Sequence, residues 1–584
     1  MGRAMSNSPT GSPKFATIET LSQSDEIALQ TVVETVASQK SQWANTSCSA
    51  RIKLLDELLE SLRSVAKDWV AAGCRAKGYE IGTPPEGEEW LTGPCLVARN
   101  VRLLRDSISQ IDTTGKPKLP GKPYARPDGQ VVAPAFPTGL FDRILFMGFK
   151  ADVWMQPDVN LDQVSETMAV AYQANQPREG SVCLVLGAGN VSSIGPMDAL
   201  YKLFVENQVV VLKMNPVNEY LTEHFNIALE PLIRSGYLKI VTGGSETGKF
   251  LCEHPHIDEI HITGSDKTHD AIVYGSGAEG ETQKLNRQPI CKKRVTSELG
   301  NVSPVIVVPG NWSKSDISFQ AQNVASMLCN NAGFNCNAVR LLVLHDQWTQ
   351  KSEFLDALKK VFAGIPVRKA YYPGAADRYK RFTEHRSEVD KVGQGDSERL
   401  PWAIVRNLDP ADANEICFNT EAFCCVMGET SLPGPSTSEF IANAVSYCNK
   451  NVWGSLNTSI IIHNKTRKQP AVADALDRAI ADLEYGTVAI NHWAGVNYGL
   501  TSTTWGAFPG HPTHDIRSGT GVVHNSYMFG RPQKTVLHGP FRPFPKPVWF
   551  STHRNTHKLG PAFFNFQCSP SWFNLPAVLI NAIG

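Results

Sequence analysis

Residues 181–190 read SVCLVLGAGN, and residues 208–213 read QVVVLK. Each is an apolar run of strand length, and the first ends in a Gly-x-Gly turn. Met197 to Glu206, between them, carries helical spacing. The rhythm then repeats. Tyr220 to Ser235 reads as helix, LKIVTGG (238–244) as a strand, GKFLCEH (248–254) as a short helix and IDEIHITGS (257–265) as a fourth strand. KRVTSELG (293–300) and PVIVVPG (304–310) read as two more strands. Strands alternating with helices imply right-handed crossovers and a mostly parallel α/β sheet. The Gly187-Ala188-Gly189 turn opens a helix, where backbone N–H groups and the helix dipole suit a phosphate. Ser192 stands where the dinucleotide fingerprint has its third glycine. A plain strand–helix turn accounts for the same residues equally well.

Upstream, the pattern from Asp25 to Lys77 is helical, with Leu54, Leu55, Leu58, Leu59 and Leu62 on one face. Another helix is expected from Glu88 to Ile111. Residues 114–157 are rich in Pro, Gly and aromatics, and Asp128-Gly129 is a hairpin signal. They read as an arm or an oligomerisation ribbon. Downstream, ISFQAQNVASML (317–328) is a helix, NNAGFN (330–335) a polar turn and RLLVLH (340–345) a strand, followed by a helix from Gln350 to Phe362. The expected organisation is a disordered tail at 1–20, N-terminal helices at 21–113, the ribbon at 114–157, a dinucleotide-binding domain at 158–300, a catalytic domain at 301–500 and an irregular extension at 501–584.

The composition narrows the function. The 584 residues carry 56 Lys+Arg and 56 Asp+Glu, a net charge of zero. Nucleic-acid binding needs a basic surplus and is not expected. The thirteen cysteines show no CxxC and no zinc-type spacing, so no metal site is expected. His254, His256 and His261 do not form a known ligand pattern and are expected to flank a strand on the surface. No stretch approaches the eighteen apolar residues of a membrane span. The first fifteen residues lack a signal-peptide core. Met1 to Ser6 fits the loose myristoylation pattern, but a disordered tail explains it as well. A reducing, cytoplasmic compartment is expected.

Four places can carry chemistry. Cys336 lies in the polar turn NAGFNCNAVR (331–340), where reactive groups are displayed. Glu298 ends a strand, facing the ligand crevice of an α/β sheet. Asn190 follows the glycine turn. Glu421, in NTEAF (419–423), can accept hydrogen bonds from ribose hydroxyls. The bland alternatives are a packed thiol, a solvated surface carboxylate and an ordinary tight turn.

Together these residues resemble the aldehyde dehydrogenase superfamily. Asn190 and Lys213 stand 23 residues apart, as the family's oxyanion asparagine and cofactor lysine do. Thr263-Gly264-Ser265 is similar to its T-G-S turn and Glu298-Leu299-Gly300 to its E-L-G-G. Asn331, Gly333 and Cys336 match its nucleophile motif, with Arg340 trailing. Glu421 and Phe423 match E-x-F, and residues 486–491 match the late G-x-V-x-I-N. The resemblance spans about 180–500. The sequence departs from the pattern at Phe334, Asn301, Val302, His269, Pro216, an insertion within 266–297, and after Ile490, where NHWAGVNYGLTSTTWGAFPG takes the place of the usual tail motif.

The resemblance implies an α/β fold: a Rossmann-type dinucleotide-binding domain, a second α/β catalytic domain and a β-ribbon for oligomerisation. It implies NAD- or NADP-dependent oxidation of a small-molecule aldehyde to a carboxylic acid. Cys336 would be the nucleophile, Asn190 the oxyanion donor and Glu298 the base that activates water. Lys213 would hold the adenosine ribose, Gly264 and Ser265 the pyrophosphate, and Glu421 and Phe423 the nicotinamide ribose. A homo-oligomer is implied, with no integral membrane segment. Phe334 and the tail would reshape the substrate mouth. Three alternatives remain: acyl transfer to coenzyme A (or reduction of an acyl thioester), a cysteine hydrolase, and an inactive member of the fold. Glu298 favours hydrolysis over coenzyme A. No histidine is tied by sequence to the Cys336 turn, as a hydrolase would need.

Overall fold

A computed structural model describes residues 10–13, 23–173 and 179–584. The smaller of its two main sheets has five strands in the order Leu238–Val241, Val209–Lys213, Val182–Leu186, Glu259–Gly264, Arg294–Leu299. All four pairings are parallel. The strand order reverses beside Val182–Leu186, and the glycine turn sits at that switch point, the usual ligand crevice of such a sheet. The N-terminal helices Gln23–Ser38, Cys48–Lys77 and Pro94–Thr114 share one hydrophobic core with this sheet. Leu55, Leu58, Leu59 and Leu62 form the buried stripe of the long helix, while Leu54 is only half-buried.

The larger sheet has eleven strands. Its parallel centre contains Ser303–Val307, Val339–His345, Val426–Leu432, Asn457–Ile461 and Thr487–Ile490. Gly300 to Val302 is therefore the crossing point between the sheets, and PVIVV belongs to the second.

The structure differs from expectation in three places. The ribbon is not a separate arm: Val131–Phe136 and Lys150–Met155 extend the large sheet, and the Asp128-Gly129 turn joins Tyr124–Ala125 to Val131–Phe136. Residues 501–584 are not irregular throughout. Pro532–His538 is a strand between Thr487–Ile490 and Lys150–Met155, and helices Thr556–Cys568 and Leu575–Asn581 follow. Pro, Gly and His around these elements hid their period. Within the expected tail, Thr10–Pro13 is ordered, and Gly11 bridges Thr420. The rest of 1–20, including the acylation pattern, lies outside the described residues.

Candidate active site

The Cys336 turn is built under strain. Helix Lys314–Cys329 starts with a capping box between Ser313 and Asp316. Past its end, Asn331 (φ 52°), Ala332 (φ 55°) and Gly333 (φ 82°) are consecutively left-handed. Each such non-glycine residue costs on the order of 1 kcal/mol or more, so neighbours must hold it. Arg340 reaches back from its strand and donates to the carbonyls of Gly333 and Cys424, and to Asn335 O at 3.3 Å. Glu88 accepts the Asn331 N–H at 2.9 Å and pairs with Arg368 at 2.7 Å.

This turn presents a half-buried Cys336, whose Sγ donates to Glu298 Oε1 at 3.2 Å. The Glu298 carboxyl is pushed up to about 8 by burial first, then by the Asp198 carboxylate. Burial, Glu298 and Glu421 push the Cys336 thiol well above its ordinary value. At rest the pair therefore holds its protons. Asn190 lines the same cavity as Cys336; its Nδ2 donates to Phe334 O at 2.9 Å, and its carbonyl accepts from Lys77 Nζ at 3.2 Å. Lys77 is itself buried against Glu89 at 2.7 Å. The structure thus brings Cys336, Glu298 and Asn190 to one place.

The expected cofactor residues are less free. Lys213 Nζ donates to Met214 O at 3.1 Å and to the Gly243 carbonyl. Ser265 caps helix Asp266–Tyr274, and Gly264 is exposed before it. The first residue of that helix, Asp266, puts a buried carboxylate at the positive helix end, where a phosphate would otherwise be favoured. Thr10–Pro13 runs alongside. Gly11 N donates to Asn419 O at 2.8 Å, Glu421 N to Gly11 O at 3.0 Å, and Ser12 N to Asp266 Oδ1 at 2.8 Å. The groove beside Glu421 is therefore filled by this segment. Glu421 is fully buried and pushed up to about 7 by burial, with Arg340 acting against that; its Oε1 has no hydrogen-bond partner among the described residues. Phe423 packs on Tyr372 with ring centroids 4.9 Å apart. The chemistry of the orphaned Glu421 oxygen suits a ribose hydroxyl of a dinucleotide. The dinucleotide does not fit beside Glu421 while Thr10–Pro13 is in place.

Two further expectations are corrected. Phe334 does not reach the substrate mouth: it is buried and packs on Tyr371 at 4.9 Å and Phe423 at 6.0 Å. His254 and His261 are not surface groups. His261 is 1% exposed, bonds Thr296 Oγ1 at 2.9 Å and lies 3.6 Å from Asp198. Among the described residues no three His, Cys, Asp or Glu side chains stand close enough to hold a metal ion.

Sequence reasoning missed Asp198. Thr263 Oγ1 donates to its Oδ2 at 2.8 Å, and its charge acts on Glu298. The available signal was a single acid inside the otherwise apolar run IGPMDAL. The tail also contributes: Leu299 N donates to Ser518 O, and Gly521 N to Ser297 O, which clamps the strand that carries Glu298. The cavity above Cys336, about 590 Å³, is lined by apolar and aromatic groups such as Phe146, Ile194, Trp493, Val496, Tyr498 and Trp549.

A switch-point crevice, a second parallel sheet and a cysteine facing a buried glutamate define a two-sheet α/β protein with a Rossmann-type domain. The aldehyde dehydrogenase family model matches residues 150–389. Aldehyde dehydrogenase LUC3 of Fusarium sp. is 26% identical over 192 residues, 32% of this chain and 35% of that protein. The peroxisomal aminoaldehyde dehydrogenase 1 of Malus domestica is 34% identical over 133 residues, 23% of each. The aligned part thus spans about a third or less of these relatives' length. The fold is similar to NADP-dependent glyceraldehyde-3-phosphate dehydrogenase from Bacillus halodurans C-125 (TM-score 0.58, 17% identity, 88% of this chain and 91% of that one). It is also similar to NAD-dependent aldehyde dehydrogenase from Sinorhizobium meliloti (TM-score 0.56, 15% identity, 89% and 88%). Residues 150–389 thus resemble the aldehyde dehydrogenase family, and the fold over most of the chain is that of the solved aldehyde dehydrogenases.

Proposed function

We propose that this protein oxidises an apolar aldehyde to its carboxylic acid, using NAD or NADP and water, through covalent intermediates on Cys336. The observation that carries the reading is the 3.2 Å contact between Cys336 Sγ and Glu298 Oε1 beside Asn190. Glu298 in its base form takes the thiol proton, and the thiolate adds to the carbonyl carbon to give a thiohemiacetal. The Cys336 N–H and the Asn190 amide stabilise its oxyanion; losing such a donor costs on the order of 100-fold in rate. A bound nicotinamide dinucleotide supplies the hydride acceptor. Glu298 releases the thiol's proton to solvent and then deprotonates the water that adds to the resulting thioester; the carboxylic acid leaves and the Cys336 thiolate takes that second proton back from Glu298. Lys213, Gly264, Ser265, Glu421 and Phe423 would hold the dinucleotide. The lining of the cavity supports an apolar substrate.

On this reading the enzyme works inside the cell, as a homo-oligomer, without a metal. No helix among the described residues is long and apolar enough to cross a membrane. A second reading, an inactive member of the fold, is favoured by Asp266 and Thr10–Pro13 in the expected cofactor groove. Cofactor titration followed by single-turnover reduction separates the two. Binding plus a burst equal to the enzyme concentration supports catalysis. Absence of binding, even without residues 1–13, supports the second reading.

A further inference from the structure

The last thirteen residues hold an unusual surface. Trp572 is 60% exposed, Phe573 96%, Ile580 69% and Ile583 62%, and Leu579 is exposed beside them. The other exposed large apolar side chains are mostly scattered singly along the chain, which is ordinary for a protein surface. Helix Leu575–Asn581 is apolar on all sides. Its inner face, Leu575 and Val578, packs with Leu559 and Phe566. Its outer face, Pro576, Ala577, Leu579 and Ile580, meets solvent. An all-apolar helix is normally buried on every side, so this outer face lacks a partner.

The charge around it points to one kind of partner. Residues 516–584 contain seven Lys or Arg and no Asp or Glu; Arg517, Arg531 and Arg542 pair with Asp515, Asp158 and Asp316 and Lys534 is buried, which leaves Lys546, Arg554 and Lys558. Arg554 and Lys558, at the start of the preceding helix, are exposed. Protruding Trp, Phe and Ile beside basic residues, in a segment that itself carries no acid, is the chemistry of insertion into an anionic lipid interface.

We infer that the C-terminal module at 539–584 is a peripheral membrane-docking element. Trp572, Phe573, Leu579, Ile580 and Ile583 enter the acyl boundary, and Arg554 and Lys558 meet acidic headgroups. The element also borders the cavity: Val578, Ala582, Leu559 and Phe563 line the space that Cys336 lines. If the catalytic reading above holds, a membrane-partitioned aldehyde would enter at that edge.

The test is co-sedimentation of the full chain with vesicles of phosphatidylcholine, with and without phosphatidylserine, at low and high salt. The comparison is the triple variant W572S/F573S/I580S, whose side chains are all exposed. Its folding is checked by thermal melting and its mass in solution by light scattering. Binding to anionic vesicles that weakens in salt, and that the variant loses by about tenfold or more, is the expected result. Three results would each overturn the proposal: no binding by the wild-type chain, equal binding to neutral vesicles, or a variant that changes only the oligomeric mass. None of these readouts uses turnover, so their failure leaves the catalytic reading untouched.

Discussion

Cys336 Sγ and Glu298 Oε1 are 3.2 Å apart, and both groups are held towards their protonated forms. On the proposed reading the nucleophile and its base are one unit that switches on as pH rises. With Glu298 pushed up to about 8, turnover climbs through that pH and falls below it. Glu298→Gln removes the base and lowers steady-state turnover about 100-fold or more. The same shift acts on stability. Folding raises this pKa, so the associated stability is complete below the ordinary carboxylate value of 4.5 and is lost as pH rises towards about 8. Across that window the variant's melting temperature gains on the wild type; a constant difference would contradict the buried proton.

Asp198 sets the position of that switch. Its charge is the second cause of the Glu298 shift, after burial. Asp198→Asn moves the midpoint of the pH–rate profile towards acid. An unmoved midpoint would show that burial alone sets it.

Thr10–Pro13 lies in the groove where the nicotinamide ribose is proposed to sit. Deleting residues 1–13 tightens dinucleotide binding, read by quenching of tryptophan fluorescence. Asp266→Asn acts in the same direction, because it removes a carboxylate from a helix start that would face phosphate. Unchanged affinity in both would clear the segment of any part in binding.

Gly333 is required by the turn. Its φ of 82° is left-handed, and a Cβ there would stand 2.6 Å from the Cys424 carbonyl oxygen. Gly333→Ala should lower stability by about 1–3 kcal/mol in denaturant unfolding and displace the nucleophile. A neutral effect would mean that the turn is not held as described.

The apolar cavity predicts a chain-length series. Each methylene buried contributes about 0.8 kcal/mol, or about fourfold in kcat/KM, until the space is filled. A flat series of straight-chain aldehydes would remove the cavity from the substrate path.

The legible parts of this chain were those with local signatures. Strands such as VCLVL are short apolar runs ending in glycine, and Cys336, Glu298 and Asn190 sit in turns or at strand ends that announce themselves. What escaped depends on distant contacts. Strand Pro532–His538 is flanked by Gly, Pro and His and owes its existence to neighbours at 150–155 and 487–490. The expected helix from Tyr220 to Ser235 breaks into short pieces, with Pro231 opening the last. Phe334 fills a motif position yet turns into an aromatic cluster that no spacing rule reveals. Asp198 acts only because folding lays it near residues 261–263 and 298.

The most direct measurement is aldehyde-dependent reduction of NAD and of NADP, with and without coenzyme A, in the wild-type chain and in Cys336→Ala. The account predicts turnover without coenzyme A that the substitution abolishes. Turnover that requires coenzyme A, or that survives without the thiol, would contradict it.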